Sequence, residues 1–324
     1  MLITHDAGEE IDLDDCGSYL LTDTAHGQLA EHVGIPKAYY DRLRSNSKRL
    51  LEANVNHWLC DDTRRRMVRT LDGEARAILS DRYRPLDNYD LAQAVLPALA
   101  SGAFKIVSSE ITEKRLYLKA VTDRITAEVK TGDVVQAGIT ISNSEVGLGS
   151  LSVDPFALFL VCQNGMTMPD AASLRKVHVG RGAGDLDIAA EWLRDETRQA
   201  DDRAFWLKVR DAIAGTLTES FFQRQVEKLR GATLDHIEAD PAAIVDVTAK
   251  RYRLTDNEKF SVLRHFLAGH NGQEEFTRYG LMQAVTRAAE DSETYDRASE
   301  LEQLGGQILE LSPTAWKAMN ESRN

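Results

Sequence analysis

RRRMVRTLDGEARAILSDRYRPLDN, residues 64–88, decides the fold. Met67, Val68 and Leu71 lead into Asp72-Gly73, and Ala75, Ala77, Ile78 and Leu79 lead out of it. An Asp-Gly pair between two apolar runs signals a tight hairpin, because both residues tolerate the positive φ such turns demand. The period then changes: NYDLAQAVLPAL, 88–99, repeats its apolar residues at helical spacing behind an N-cap at Asp87 or Asn88. Three runs rich in Ile, Val, Thr and Tyr follow at 104–110, 114–121 and 133–142. The sequence therefore predicts an α+β protein whose core, residues 64–185, is a β-β-α-β-β-β antiparallel sheet with a helix packed on one face.

Outward from this core, both flanks read as helical. Residues 24–58 place Leu29, Val33, Tyr40, Leu43, Leu51 and Val55 at mostly three- and four-residue spacings, with Gly34 and Pro36 marking a turn, so 1–63 is an acidic start followed by a helical N-terminal subdomain. Past residue 186 the helical period returns with Ile188, Trp192, Phe205, Trp206, Val209, Ile213 and Phe221, then segments near 241–249, 255–268, 276–290 and 294–310. That makes 186–324 a helical C-terminal region.

The charge follows the same division. The net −12 hides a gradient: residues 1–63 hold 12 acids against 5 bases, whereas 64–185 hold 14 acids against 16 bases. A mildly basic middle lies between acidic ends, which keeps an anionic partner in play. No run approaches the roughly 18 apolar residues of a membrane span, and the acidic start is unlike a secretion signal, so no membrane contact and a cytoplasmic location are expected. Cys16, Cys60 and Cys162 are far apart and match neither a metal nor a disulfide spacing.

Motifs for catalysis are missing. There is no P-loop, no H-E-x-x-H and no G-x-S-x-G, and the histidines and acid pairs do not share faces at metal-ligand spacing. No catalytic residue, metal or cofactor is expected. The stretch LFLVCQNGMTM, 158–168, reads as a buried thiol, Cys162, ending an apolar run before a tight turn on Asn164-Gly165. Gly180–Gly184 with Arg175, Lys176, His178 and Arg181 is a possible phosphate loop, though an ordinary surface loop has the same composition.

The feature with chemistry is the pair of basic segments, 63–69 and 80–85. Alternation along a strand sends Arg64 and Arg66 to one face and Arg65 to the other, while Arg82-Tyr83-Arg84 sets a ring between two cations. Guanidinium groups that follow a backbone and rings that stack bases are what single-stranded nucleic acid requires. Surface strands salt-bridged to Asp61, Asp62, Asp72, Glu74 and Asp81 fit the same residues.

GIPKAYYDRL (34–43), NHWL (56–59), VRTLDGEARAILSDRYRPLDN (68–88), VCQNGM with VHVG (177–180), and LMQAVTRAAE (281–290) resemble the phage- and plasmid-encoded family known as domain of unknown function number 932. The resemblance runs from about 24 to 310 and implies a mobile-element setting. In outline the core is also similar to Red-beta-type single-strand annealing proteins, a likeness of fold alone. It implies a single-stranded DNA binding and annealing protein for recombination that hydrolyses no nucleotide and assembles as a homo-oligomeric ring or filament. The expected DNA contacts are Arg64, Arg66, Arg69, Arg82, Arg84, Lys114, Arg115 and Lys119 on phosphates, with Tyr83 as a stacking platform. The alternative is a non-enzymatic interaction protein that binds a host protein through its acidic ends, countering host defence or aiding maintenance of the mobile element.

Overall fold

The computed structural model describes residues 2–5, 8–13, 16–81, 83, 86–161, 163–168, 174–176, 195–216, 218–269 and 276–321. The chain is α+β, as expected, but it builds two sheets. Strands β1 (Leu2–His5), β2 (Glu10–Leu13), β3 (Ser18–Leu21), β4 (Arg66–Leu71) and β5 (Glu74–Ser80) form the first, in the order β1-β2-β3-β5-β4. The predicted hairpin is there, with Asp72 and Gly73 at φ 50° and 83°. Its partner differs from the expected one: β5 pairs in parallel with β3, matching Leu20 to Glu74 and Leu21 to Ala75. Helices α1 (Asp23–His32), α2 (Lys37–Asn46) and α3 (Lys48–Asp61) cover this sheet, and Ile11, Leu29, Tyr40, Leu51, Val55 and Ile78 close its core. The three N-terminal strands had no legible signal, because each is four residues long and rich in polar side chains.

The second sheet is a meander entered through α4 (Asn88–Ser101). Strands β6 (Phe104–Ile111), β7 (Leu116–Lys130), β8 (Asp133–Asn143), β9 (Leu151–Phe159) and β10 (Gly165–Thr167) run in sequence order, and β11 (Leu174–Lys176) also pairs with β9. Register assigns its faces. Leu118, Ile139, Ile141, Val153 and Ala157 share one, while Tyr117, Lys119, Thr140, Ser142, Ser152 and Asp154 share the other. A helix on one face was expected; both faces are covered, and β8 is buried almost throughout. Leu91, Val95 and Leu99 of α4 join the apolar cluster that contains the first face.

The C-terminal helices are α5 (Asp195–Thr216), α6 (Glu219–Leu234), α7 (Pro241–Tyr252), α8 (Asp256–Ala268), α9 (Arg278–Arg287), α10 (Tyr295–Leu309) and α11 (Pro313–Asn320). Their start signals are legible: Thr255 and Glu258 form a reciprocal capping box on α8, and Thr294 and Ser312 cap α10 and α11. Helix α10 lies over the polar face of the sheet, where Lys119 meets Glu302 and Tyr117 meets Asp296. Among the described residues no helix is long and apolar enough to cross a membrane.

Candidate nucleic-acid interface

Several of the expected DNA contacts are ion-paired in the structure. Arg64 and Arg66 both grip Asp62, at 2.7 and 2.9 Å, and the Arg64 hydrogen bond drives the Asp62 carboxyl down to about 2. Arg69 binds Asp87 at 2.6 Å and Arg76 binds Glu145 at 3.0 Å. Glu145 also accepts the Asn88 backbone N–H at 2.7 Å, so this network fastens the hairpin to the start of α4. Tyr83 is corrected outright: it is 6% exposed, packed with Ala77, Leu79 and Val146, and its hydroxyl donates to the Ser144 carbonyl. A ring held in the seam between the two sheets offers no face to a base.

Lys119 is corrected for the same reason. Its ammonium sits 2.7 Å from Glu302 Oε1 inside the protein, above the Tyr295 ring at 4.9 Å, and does not face a polyanion. Arg115 donates to the Leu148 carbonyl at 3.0 Å and spans the loop after β8, while Lys114 stays exposed beside it. Arg82, Arg84, Cys162, His178 and Arg181 lie outside the described residues. Arg175 and Lys176 fall on β11 opposite Ser152 and Leu151. Buried acceptors and short ion pairs claimed these cations, so a basic sequence made a neutral seam.

Free cations gather elsewhere. Helix α5 packs along α4, and two adjoining cavities of about 440 and 540 Å³ open between them and share Arg210. Arg124 and Phe104 line the first, Arg203 and Trp206 the second. Among the described residues Arg124 and Arg203 have no ion pair, and Arg210 reaches only its neighbour Asp211 at 3.4 Å. Asp90 and Asp211 are the acids of the lining. The groove thus presents three guanidinium groups around two aromatic rings, the combination that a phosphate backbone and its bases can use. Its signal was in the sequence, since Arg203, Trp206 and Arg210 at spacings of three and four share one helix face. Arg124 was not legible, because β7 runs nine residues beyond its expected end.

Two of the stretches that carry the family resemblance, VCQNGM and LMQAVTRAAE, meet at a second place. Asn164 of the turn after β9 donates through Nδ2 to Gln283 Oε1 at 2.7 Å and to Thr286 Oγ1 at 2.6 Å, both on α9. Gln283 passes the chain on to Tyr279, whose hydroxyl donates to the Asp133 carboxylate. Gly165 is required: a Cβ there would overlap the Phe156 ring. The positive φ of this turn falls on Gln163, at 55°, and not on the expected Asn164-Gly165, because Gly165 is already the first residue of β10; Asn164 instead ties the turn to α9. A cleft of about 740 Å³ lies above it, with Lys119 and Glu302 in its floor and Lys105 at its rim.

These elements define a two-sheet α+β protein with a buried polar layer beneath its C-terminal helices and a cationic, aromatic groove on the opposite flank. The family model described as Domain of unknown function (DUF932) matches residues 76–321, and the chain belongs to that family. No curated protein and no solved structure matches it.

Proposed function

We propose that this protein binds single-stranded DNA and anneals complementary strands without hydrolysing nucleotide, using the α4–α5 groove and not the 64–84 strands. One observation carries the reading: Arg124 and Phe104 line one cavity, Arg203 and Trp206 line its neighbour and Arg210 lines both, with two of the three arginines free of ion pairs among the described residues. Cations would follow the backbone and rings would stack bases. The reading makes the protein a binder and not an enzyme, acting in the cytoplasm of a bacterium that carries the encoding phage or plasmid. The Red-beta-type likeness rests on a β-β-α-β-β-β core in one sheet, and with the β4–β5 hairpin in the other sheet it lends this reading no support.

Binding of a labelled single-stranded oligonucleotide across a salt series tests it. The triple change Arg124→Ala, Arg203→Ala, Arg210→Ala removes three phosphate contacts and should lower the slope of log affinity against log salt by about 2, at about 0.7 per contact. Trp206→Ala should weaken binding by about 1–3 kcal/mol with the slope unchanged, because stacking releases no counterions. Arg64→Ala with Arg66→Ala should change neither. An unaltered slope in the triple variant refutes the groove.

A second reading, capture of a host protein with a basic surface, is favoured by one feature. A cleft of about 700 Å³ beside α1 and α2 is lined by Asp23, Glu31, Asp41 and Glu113 together with Lys37, Arg44 and Lys114, and of these acids Glu31 and Glu113 have no ion pair among the described residues. It takes first place if the wild-type protein shows no affinity for single-stranded DNA at about 50 mM salt, where phosphate contacts are strongest.

A further inference from the structure

Among the described residues strand β6 ends its sheet and pairs with β7 alone. It is eight residues long, and Ile106, Val107 and Ile111 are 43, 42 and 64% exposed. An unpaired strand edge is an open template for another strand; charge and a bulge normally blunt it, and β6 carries both, in Lys105 and Glu110 and in its register shift between Ile106 and Ser108. Here the two charges the edge carries, Lys105 and Glu110, have no ion-pair partner among the described residues. The sequence FKIVSSEI explains why they suit each other: they stand at mirrored positions, one residue in from each end.

In a regular strand, residues 105 and 110 would point to opposite faces. The register shift between Ile106 and Ser108 removes that conflict. Lys105 lies opposite Val121 and Glu110 opposite Tyr117, and those two β7 residues, four apart, share a face. The same bulge brings Phe104, opposite Thr122, and Ile111, opposite Leu116, to the other face together. The irregularity therefore makes the edge complementary to itself.

We infer that β6 pairs antiparallel with β6 of a second copy of this chain, about a two-fold axis between Val107 and Ser108. Each Lys105 then faces a second copy's Glu110, each Phe104 a second copy's Ile111, and the two five-stranded meanders continue as one sheet. Such an interface is isologous, so every contact occurs twice. Opposite charges directly across strands stabilise the pairing and like charges oppose it. The two proposals meet at Phe104, which β6 supplies to the groove, but Lys105 and Glu110, whose reversal tests the dimer, do not line it.

Sedimentation velocity of the full chain at micromolar concentration tests it. The wild-type protein should be a dimer. Lys105→Glu sets two Glu–Glu contacts across the axis, and Glu110→Lys sets two Lys–Lys contacts, so each variant alone should dimerise at least about tenfold more weakly. Mixing the two variants should restore dimers, because both contacts of the mixed pair join opposite charges; a variant that had merely misfolded could not do this. The double variant Lys105→Glu, Glu110→Lys should dimerise by itself. A monomeric wild type, a dimer indifferent to either single reversal, or the absence of mixed dimers overturns the inference.

Discussion

Asn164 donates its amide to Gln283 Oε1 at 2.7 Å, and that bond fixes which way both carboxamides face. The Tyr279 hydroxyl gives its proton to Asp133, so it must accept from Gln283 Nε2, which turns Gln283 Oε1 toward Asn164. Asn164→Ala should cost about 1–3 kcal/mol by stranding a buried acceptor. Asn164→Asp should cost more at pH 7, where a carboxylate faces a carbonyl oxygen. The gap between that variant and wild type, followed by urea unfolding, should narrow toward pH 4, as a protonated Asp can donate to Gln283.

The pair Lys119 and Glu302 is almost closed to water, and burial raises the Glu302 carboxyl despite the pull of Lys119. Removing one charge leaves the other buried and alone. Glu302→Gln or Lys119→Met should each destabilise by about 3–5 kcal/mol, whereas Lys119→Met with Glu302→Leu should lie nearer to wild type than either single change. Denaturation midpoints of the four proteins decide this; additive losses would mean that the two residues do not act as a pair.

Gly165 leaves room for the Phe156 ring. Gly165→Ala should cost about 1–3 kcal/mol through overpacking, and Phe156→Leu in that background should return part of the loss. If the second change only adds to the first, the ring is not what limits residue 165.

His26 gives a pH dependence with a definite sign. Its Nδ1 lies 2.8 Å from the Tyr40 hydroxyl and its Nε2 3.4 Å from Glu9. Burial first, and then the Arg44 charge, push the imidazole down from 6.5 to about 4, against the pull of Glu9. Between those values the unfolded chain binds a proton that the folded chain refuses, so stability falls as pH drops through that window and is restored as pH rises. The loss reaches about 3 kcal/mol at about 1.36 per pH unit. His26→Gln should flatten the stability profile between pH 6.5 and 4. Asp62, held low by Arg64, loses its contribution only as pH falls below about 3.8.

Much of the fold was local and therefore legible. The Asp72-Gly73 hairpin, α4, the strands of the meander up to β8 and the helices after 218 all carry their own turn residues, caps or apolar period, which short-range physics reads directly. The candidate site was legible only in part: Arg203, Trp206 and Arg210 share a helix face in the sequence, but nothing in their spacing says that Phe104 and Arg124 stand across the groove.

What the sequence by itself determined is the class of each segment and the stock of charges, because backbone preference and apolar period act over a few residues. Tertiary structure decided which sheet the hairpin joins, since β3 and β5 are separated by the whole of α1, α2 and α3 before they pair. It also decided which cations remain available. An arginine is free or spent according to where the nearest carboxylate falls in space, and Asp62, Asp87, Glu145 and Glu302 claimed those that the sequence had offered to a polyanion.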